Sequence, residues 1–231
     1  MNRAWATVGM AVLMLGAGAA EAAIWDLTAD WSNDNNPNGV WTLMKSQTVA
    51  FTINQPDYYN NGTQQRAWAD EVFSRNAHVP FWMKSQTTGL ISAHGAERDR
   101  TGSDYTSAVW TSPIDGTVQI SGAIWTVWAS GRRMDWQLLK NGVVLTSGQL
   151  LADASHINAP FDYADGSGGA AALSQTVAVG DRLELALISV SEGGNLGDSL
   201  GLTFQIAPEP ATLMLWLFGG AAAFRRRRRT A

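Results

Sequence analysis

The chain has no cysteine, only three histidines, and just 16% charged residues. The first absence excludes a disulfide framework, thiol catalysis and any zinc or iron–sulfur site built on cysteine. It does not exclude export, because a large sandwich core needs no covalent staple. His78, His94 and His156 stand far apart, with no H-E-x-x-H or comparable spacing. A metalloenzyme would therefore have to collect its ligands from separate loops, and the histidines are expected at surfaces or strand edges. No P-loop or dinucleotide fingerprint occurs. What is plentiful is aromatic, small and apolar: 11 Trp, 23 Gly and 45% hydrophobic residues among 231. Such a chain is not wholly disordered, and its length suits one domain of about 100–200 residues plus processing segments.

Helical periodicity is missing as well. From Ala23 to Ala207 no window of helical length keeps an apolar stripe, apart from a turn or two expected around Gln64–Phe73. Short β-rich runs split by Gly, Asn, Asp and Ser take its place. They predict strands at Val40–Met44, Thr48–Ile53, Val79–Met83, Tyr105–Ser112 and Gly116–Trp128. Further strands are predicted at Met134–Lys140, Val143–Thr146, Ser174–Val179, Arg182–Val190 and Leu200–Ile206. Asn141-Gly142 between two apolar runs is the strongest short hairpin signal. The fold class that follows is all-β, an antiparallel two-sheet sandwich of the jelly-roll kind over residues 24–206. Two long polar loops, Asp30–Gly39 and Leu151–Gly169, are expected to be functional or mobile. Met44-Lys-Ser-Gln-Thr48 recurs as Met83-Lys-Ser-Gln-Thr87, consistent with two similar hairpins and not with a repeat architecture.

The two ends read differently from the body. Residues 1–23 carry Arg3, an apolar run from Val8 to Ala20, and Ala20-Glu21-Ala22 as an A-x-A cleavage signal. That is the layout of a secretory signal peptide, too short between its polar flanks to span a membrane comfortably. At the other end, Pro208-Glu209-Pro210 precedes Ala211–Phe224, an uncharged run of fourteen residues, and then Arg225, Arg226, Arg227, Arg228 and Arg229. Fourteen helical residues cover about 21 Å, a short transmembrane helix against a hydrocarbon core about 30 Å thick. The arginines would hold the end on the cytoplasmic side as a membrane stop, leaving the body outside. Without its ends the body, residues 23–207, carries 10 Lys+Arg against 18 Asp+Glu, a formal charge of −8. An acidic body argues against nucleic acid as a partner.

Taken in order at the extreme C-terminus, these three parts over residues 207–231 resemble the PEP-CTERM sorting signal of Gram-negative bacteria. The resemblance implies recognition by an exosortase, a membrane transpeptidase that cuts near the motif and passes the protein to the cell envelope or exopolysaccharide. Pro208, Glu209 and Pro210 would then be read by another enzyme, with the inner membrane and the export machinery as transient partners. Two prolines suit that role by keeping the segment extended and out of any helix behind it. In the body, Asp30-Trp31-Ser32 with Asn36-Pro37-Asn38-Gly39-Val40-Trp41 resembles the "D-F-S…N-P-N-G-x-W" opening of a family of exported bacterial sandwich domains. Ala108-Val-Trp-Thr-Ser-Pro-Ile-Asp-Gly-Thr-Val118 resembles its central segment, and Val179-Gly-Asp-Arg-Leu183 with Asp198-Ser199 its closing strands. His94-Gly95 departs from the family's His-Pro-Gly. The likeness is to carbohydrate-binding jelly rolls at the level of fold, which does not by itself assign a ligand.

Candidate site residues follow from chemistry. Indole faces stack on sugar rings, so exposed tryptophans would mark a glycan site. Trp68 lies in a polar stretch and is the first candidate for exposure; Trp125 and Trp128, three apart, are expected on opposite strand faces. Asp26 or Asp30 near the start and Asp198 before the last strand are candidate oxygen ligands for a structural calcium, against the plainer reading that each serves an Asx turn. Gly197-Asp-Ser-Leu-Gly201 satisfies G-x-S-x-G and a G-D-S-L hydrolase string, but Leu200–Ile206 reads as a strand where a nucleophile elbow needs a helix. No catalytic residue is assigned, and no cofactor beyond calcium. The expected function is an exported, exosortase-processed, non-catalytic surface or matrix protein that binds glycan or simply acts as a surface component. The alternatives are a secreted carbohydrate-active enzyme with a carboxylate pair and a purely structural matrix protein.

Overall fold

A computed structural model describes residues 24–59, 65–70, 80–96, 105–127, 132–151, 158–190 and 199–209. The signal segment, the apolar run 211–224, the arginine block, Pro210, Trp128, Asp198, His78 and His156 lie outside them. Among the described residues no helix is long and apolar enough to cross a membrane.

In chain order the strands are β1 (Trp25–Asp26), β2 (Trp41–Met44), β3 (Asn54–Tyr59), β4 (Gln65–Ala69), β5 (Phe81–Lys84) and β6 (Ile91–His94). Next come β7 (Tyr105–Thr111), β8 (Gly116–Ser121), β9 (Ala123–Thr126), β10 (Arg133–Lys140) and β11 (Val143–Leu151). β12 (Phe161–Asp162), β13 (Ser174–Val177), β14 (Arg182–Ser189), β15 (Ser199–Leu202) and β16 (Gln205–Pro208) follow. They form three antiparallel sheets ordered β11-β10-β14-β7-β2, β12-β9-β15-β6-β5-β4-β3 and β1-β16-β8-β13. The all-β, antiparallel expectation therefore holds.

One core joins the three sheets. Trp110, Trp136 and Leu185 enter it from the five-stranded sheet, Trp82 and Leu202 from the seven-stranded sheet, and Ile120 and Ile206 from the four-stranded sheet. The Trp82 indole N–H crosses to Thr106 Oγ1 at 2.8 Å, and the Trp25 and Trp110 rings meet at 5.1 Å. Alternation decides which residues point in. Along β14, Leu183, Leu185 and Leu187 join the core, while Glu184, Ala186 and Ile188 face the opposite side. The predicted hairpin is present: Asn141 (φ 50°) and Gly142 (φ 82°) turn β10 into β11.

The expected strand Gly116–Trp128 is divided at Gly122 into β8 and β9. Its partner Leu200–Ile206 divides likewise, into β15 and β16. Gly122 has φ 134°, and a Cβ there would come within 2.2 Å of the Thr203 carbonyl oxygen. Only glycine permits that bend, through which two strand pairs pass from one sheet into another. Thr48–Ile53 is not a strand. After a single bridge between Met44 and Ala50, the Asn36 side chain takes the Phe51 carbonyl at 2.8 Å and the ladder stops. The helical turn expected around Gln64–Phe73 is replaced, over its described part, by β4, because pairing of Trp68 with Trp82 and Ala69 with Phe81 overrides local preference. Both Met-Lys-Ser-Gln-Thr copies end a strand and enter a return turn, closed by Lys45 N–H to Val49 O and by Ser85 N–H to Leu90 O.

Candidate functional site

The opening loop is sewn to the sheets by the residues of its motif. Asn36 accepts from the Leu43 N–H at 2.7 Å and donates to the Leu43 and Phe51 carbonyls. Asn38 donates to the Asp30 carbonyl, and the Trp41 indole N–H reaches Asp30 Oδ2 at 3.0 Å. Asp26 Oδ1 accepts from the N–H groups of Thr28 and Ala29, and its Oδ2 accepts from Gln205 Nε2 at 2.7 Å. The Asp26 N–H is held in turn by Asp30 Oδ2. These carboxylates serve N–H donors in turns and cross-links, the Asx-turn duty weighed against calcium binding in the sequence. Among the described residues no three His, Cys, Asp or Glu side chains gather to hold a metal ion, and Asp198 lies outside them. The motif is structural, and the loop Asp30–Gly39 is fixed by its own side chains.

Trp68 is not exposed. Only 4% of it is accessible, because its strand faces the core beside Trp82 while its indole N–H donates to the Ser32 carbonyl at 2.9 Å. Trp125 is also largely buried, but it lines a groove of about 270 Å³ with Met83, Thr88, Leu90 and Val127. Its indole lies across Gly201, its cross-strand partner, where a Cβ would come within 2.2 Å of Nε1. Trp68 borders only a small pocket of about 10 Å³, and Trp128 is outside the described residues. No described tryptophan is exposed: Trp25 and Trp31 are half-buried and the rest are buried. His94, expected at a surface or edge, is 6% accessible within β6, its ring tilted against Phe81 at 5.6 Å. Ser199 begins β15, so the G-x-S-x-G string has no strand-to-helix elbow.

The body does not end at residue 206. β16 continues to Pro208, opposite Val118, and the Glu209 N–H donates to the Thr117 carbonyl at 2.9 Å. The Glu209 side chain accepts from Ser174 Oγ at 2.7 Å. Proline is tolerated there because, among the described residues, β1 pairs only as far as Ile206 and no acceptor stands opposite the missing N–H. The Pro-Glu dipeptide is thus continuous with an interior strand of the sandwich.

A second depression, of about 740 Å³, was not anticipated from the sequence. It lies over β7, β14 and β10, on the face of the five-stranded sheet turned away from the core. At its floor Glu184, 9% accessible, accepts from Tyr105 Oη at 2.7 Å and Ser107 Oγ at 2.6 Å, both on Oε1. Burial, and then the Glu184 hydrogen bond, push the Tyr105 phenol well above its ordinary range, so it remains a donor at any physiological pH. Arg182, Gln137, Gln47 and Asn141 add polar groups to the walls, and Leu139, Val144 and Ile188 add apolar surface. Glu184 is the single carboxylate among the lining residues.

Beside this cleft, Asp181 ties the β10–β11 hairpin to the turn before β14. Its carboxylate accepts from the Ala178 N–H at 3.0 Å and Asn141 Nδ2 at 2.9 Å, and it pairs with Lys140 Nζ at 3.2 Å. These bonds, the backbone one first, hold its pKa down to about 2 from 3.8. A depressed carboxylate contributes stability that is fully present above its unfolded value and is lost as the pH falls through its folded value. Wild type is therefore expected to lose stability relative to D181N between pH of about 4 and 2. Denaturant unfolding of both proteins across that window checks it; parallel curves would contradict the assignment.

No family model matches the chain, and neither does any curated protein.

Proposed function

We propose that this is an exported, non-catalytic surface or extracellular-matrix protein, installed by an exosortase and binding glycan through a jelly-roll sandwich. The observation that carries the reading is the seam between body and tail. The last interior strand delivers Pro208-Glu209 to the rim of the sheet, and only Pro210 separates Glu209 from the uncharged run. A sorting motif set flush against a finished fold needs no further domain to present it. The signal-like N-terminus, the apolar run and the arginine stop complete the route: export, a transient stay in the inner membrane as a short transmembrane helix, cutting near the motif, and transfer to the envelope or exopolysaccharide.

The jelly-roll assignment is supported by the two strand pairs that pass through the Gly122 bend between sheets. Non-catalytic binding is supported by the composition of the larger cleft. A glycosidase pair requires two carboxyls about 5–9.5 Å apart, and one carboxylate lines this cleft. A purely structural role is the second reading, favoured by the burial of the tryptophans. Glycan-array binding and a hydrolysis panel on the detergent-solubilised full chain separate the three. Binding without product is expected; product release would establish the enzyme, and neither binding nor release would leave the structural role.

A further inference from the structure

The described tryptophans offer no open stacking platform, so the described surface would hold a ligand mainly by polar side chains. We infer that the cleft over β7, β14 and β10 binds a neutral saccharide, with Glu184 and Arg182 as its principal hydrogen-bonding groups. The inference rests on the glycan-binding reading above and adds to it a place and a ligand class.

The argument begins with what is already used and what is left. Glu184 receives both protein hydroxyls on Oε1, and among the described residues Oε2 takes no donor. Tyr105 and Ser107 therefore fix the carboxyl group in place while leaving one oxygen for an incoming O–H or N–H. Arg182, two residues away on the same face, is exposed, and its guanidinium makes no hydrogen bond or ion pair among the described residues. Alternate residues of a strand sit about 7 Å apart, so an acceptor and a donor stand at the two sides of one small ring. The Gln137 amide, opposite Ala186 on the neighbouring strand and likewise without a described partner, supplies both kinds of group on the other side of Glu184.

These features select the ligand. It must donate to Glu184 and accept from Arg182, and a hydroxyl does both. Glu184 and Arg182 stand side by side on β14 as the two charged lining residues, one of each sign, so the cleft has no net charge to favour an ionic ligand. Leu139 and Ile188 supply apolar surface for the C–H face of a ring. A volume of about 740 Å³ lies within the range of small-molecule sites, about 300–1,000 Å³. An extended peptide is disfavoured, since it docks by adding to a sheet edge. This cleft covers central strands whose backbone groups are already paired.

The test is isothermal titration of the detergent-solubilised full chain with neutral hexose oligomers (malto-, cello- and laminarihexaose), an oligogalacturonate and a neutral oligopeptide. A neutral hexose oligomer should bind, and E184Q and R182A should each weaken it roughly tenfold or more, the effect of one lost charge-assisted hydrogen bond. E184Q keeps an acceptor for Tyr105 and Ser107, and its thermal midpoint verifies the fold. If it unfolds, R182A decides, because the Arg182 head group supports no described contact. Binding that survives both substitutions but falls in W125A would overturn the cleft and leave glycan binding standing at the other groove. Preference for the oligogalacturonate or the peptide would overturn the ligand class. Failure of every saccharide would overturn both readings.

Discussion

Replacing Pro208, Glu209 and Pro210 by alanine is expected to leave the full-length precursor in the inner membrane. The effect should be close to complete, because the motif would be read as a unit by a separate enzyme. Loss of the fold would not be its cause. Pro208 is the buried last residue of β16, and among the described residues β1 pairs no further than Ile206, so alanine there breaks no described hydrogen bond. Glu209 contributes one exposed side-chain hydrogen bond to Ser174, worth about 0.5–1.5 kcal/mol at most. The backbone bond from residue 209 to Thr117 survives the exchange. Membrane fractionation with limited proteolysis reads both halves: a folded, retained precursor is predicted. Normal delivery of the variant would contradict the sorting role.

The largest loss of stability is expected for W136A. Trp136 is fully buried, with its ring 5.6 Å from Phe161 and 5.2 Å from Tyr163. Two glycines make room for it. A Cβ at Gly148, its cross-strand partner, would come within 2.7 Å of the indole, and one at Gly166 within 2.8 Å. Removing the ring leaves a cavity between layers held apart by backbone, which cannot collapse into it. The cost should be about 3–5 kcal/mol, a large share of the roughly 5–15 kcal/mol that holds a domain together. W136F should cost much less. It keeps a ring in the site and removes an indole N–H that is buried without an acceptor among the described residues. Denaturant midpoints of the two variants measure the difference, and equal losses would show that ring packing is not what Trp136 supplies.

Long-range pairing divides what the sequence discloses from what it conceals. β10 and the start of β14 carry clear alternation, β7 is a β-rich run, and Asn141-Gly142 names its own turn, so this sheet is legible from local pattern. β3, β4 and β6 are not: their polar or mixed residues acquire strand character from neighbours far along the chain. Trp68 misleads for the same reason. The stretch around it, Gln64 to Glu71, is mostly polar, yet Trp82 and the Ser32 carbonyl, distant in sequence, decide its burial. The cleft was hidden more deeply. Glu184 occupies an outward position of an alternating strand and reads as a solvated charge, while the hydroxyls that fix it come from 77 and 79 residues earlier. The terminal motif shows the opposite limit. Its composition is plain in the sequence, but only strand register reveals that Pro208 and Glu209 also close the sandwich.

The tail is the claim on which the rest depends, and intact mass spectrometry of the protein delivered by its own host tests it directly. The account predicts a polypeptide lacking both the leader and the five arginines, ending close to Pro210. A delivered protein whose mass still includes Arg225–Arg229 would contradict it.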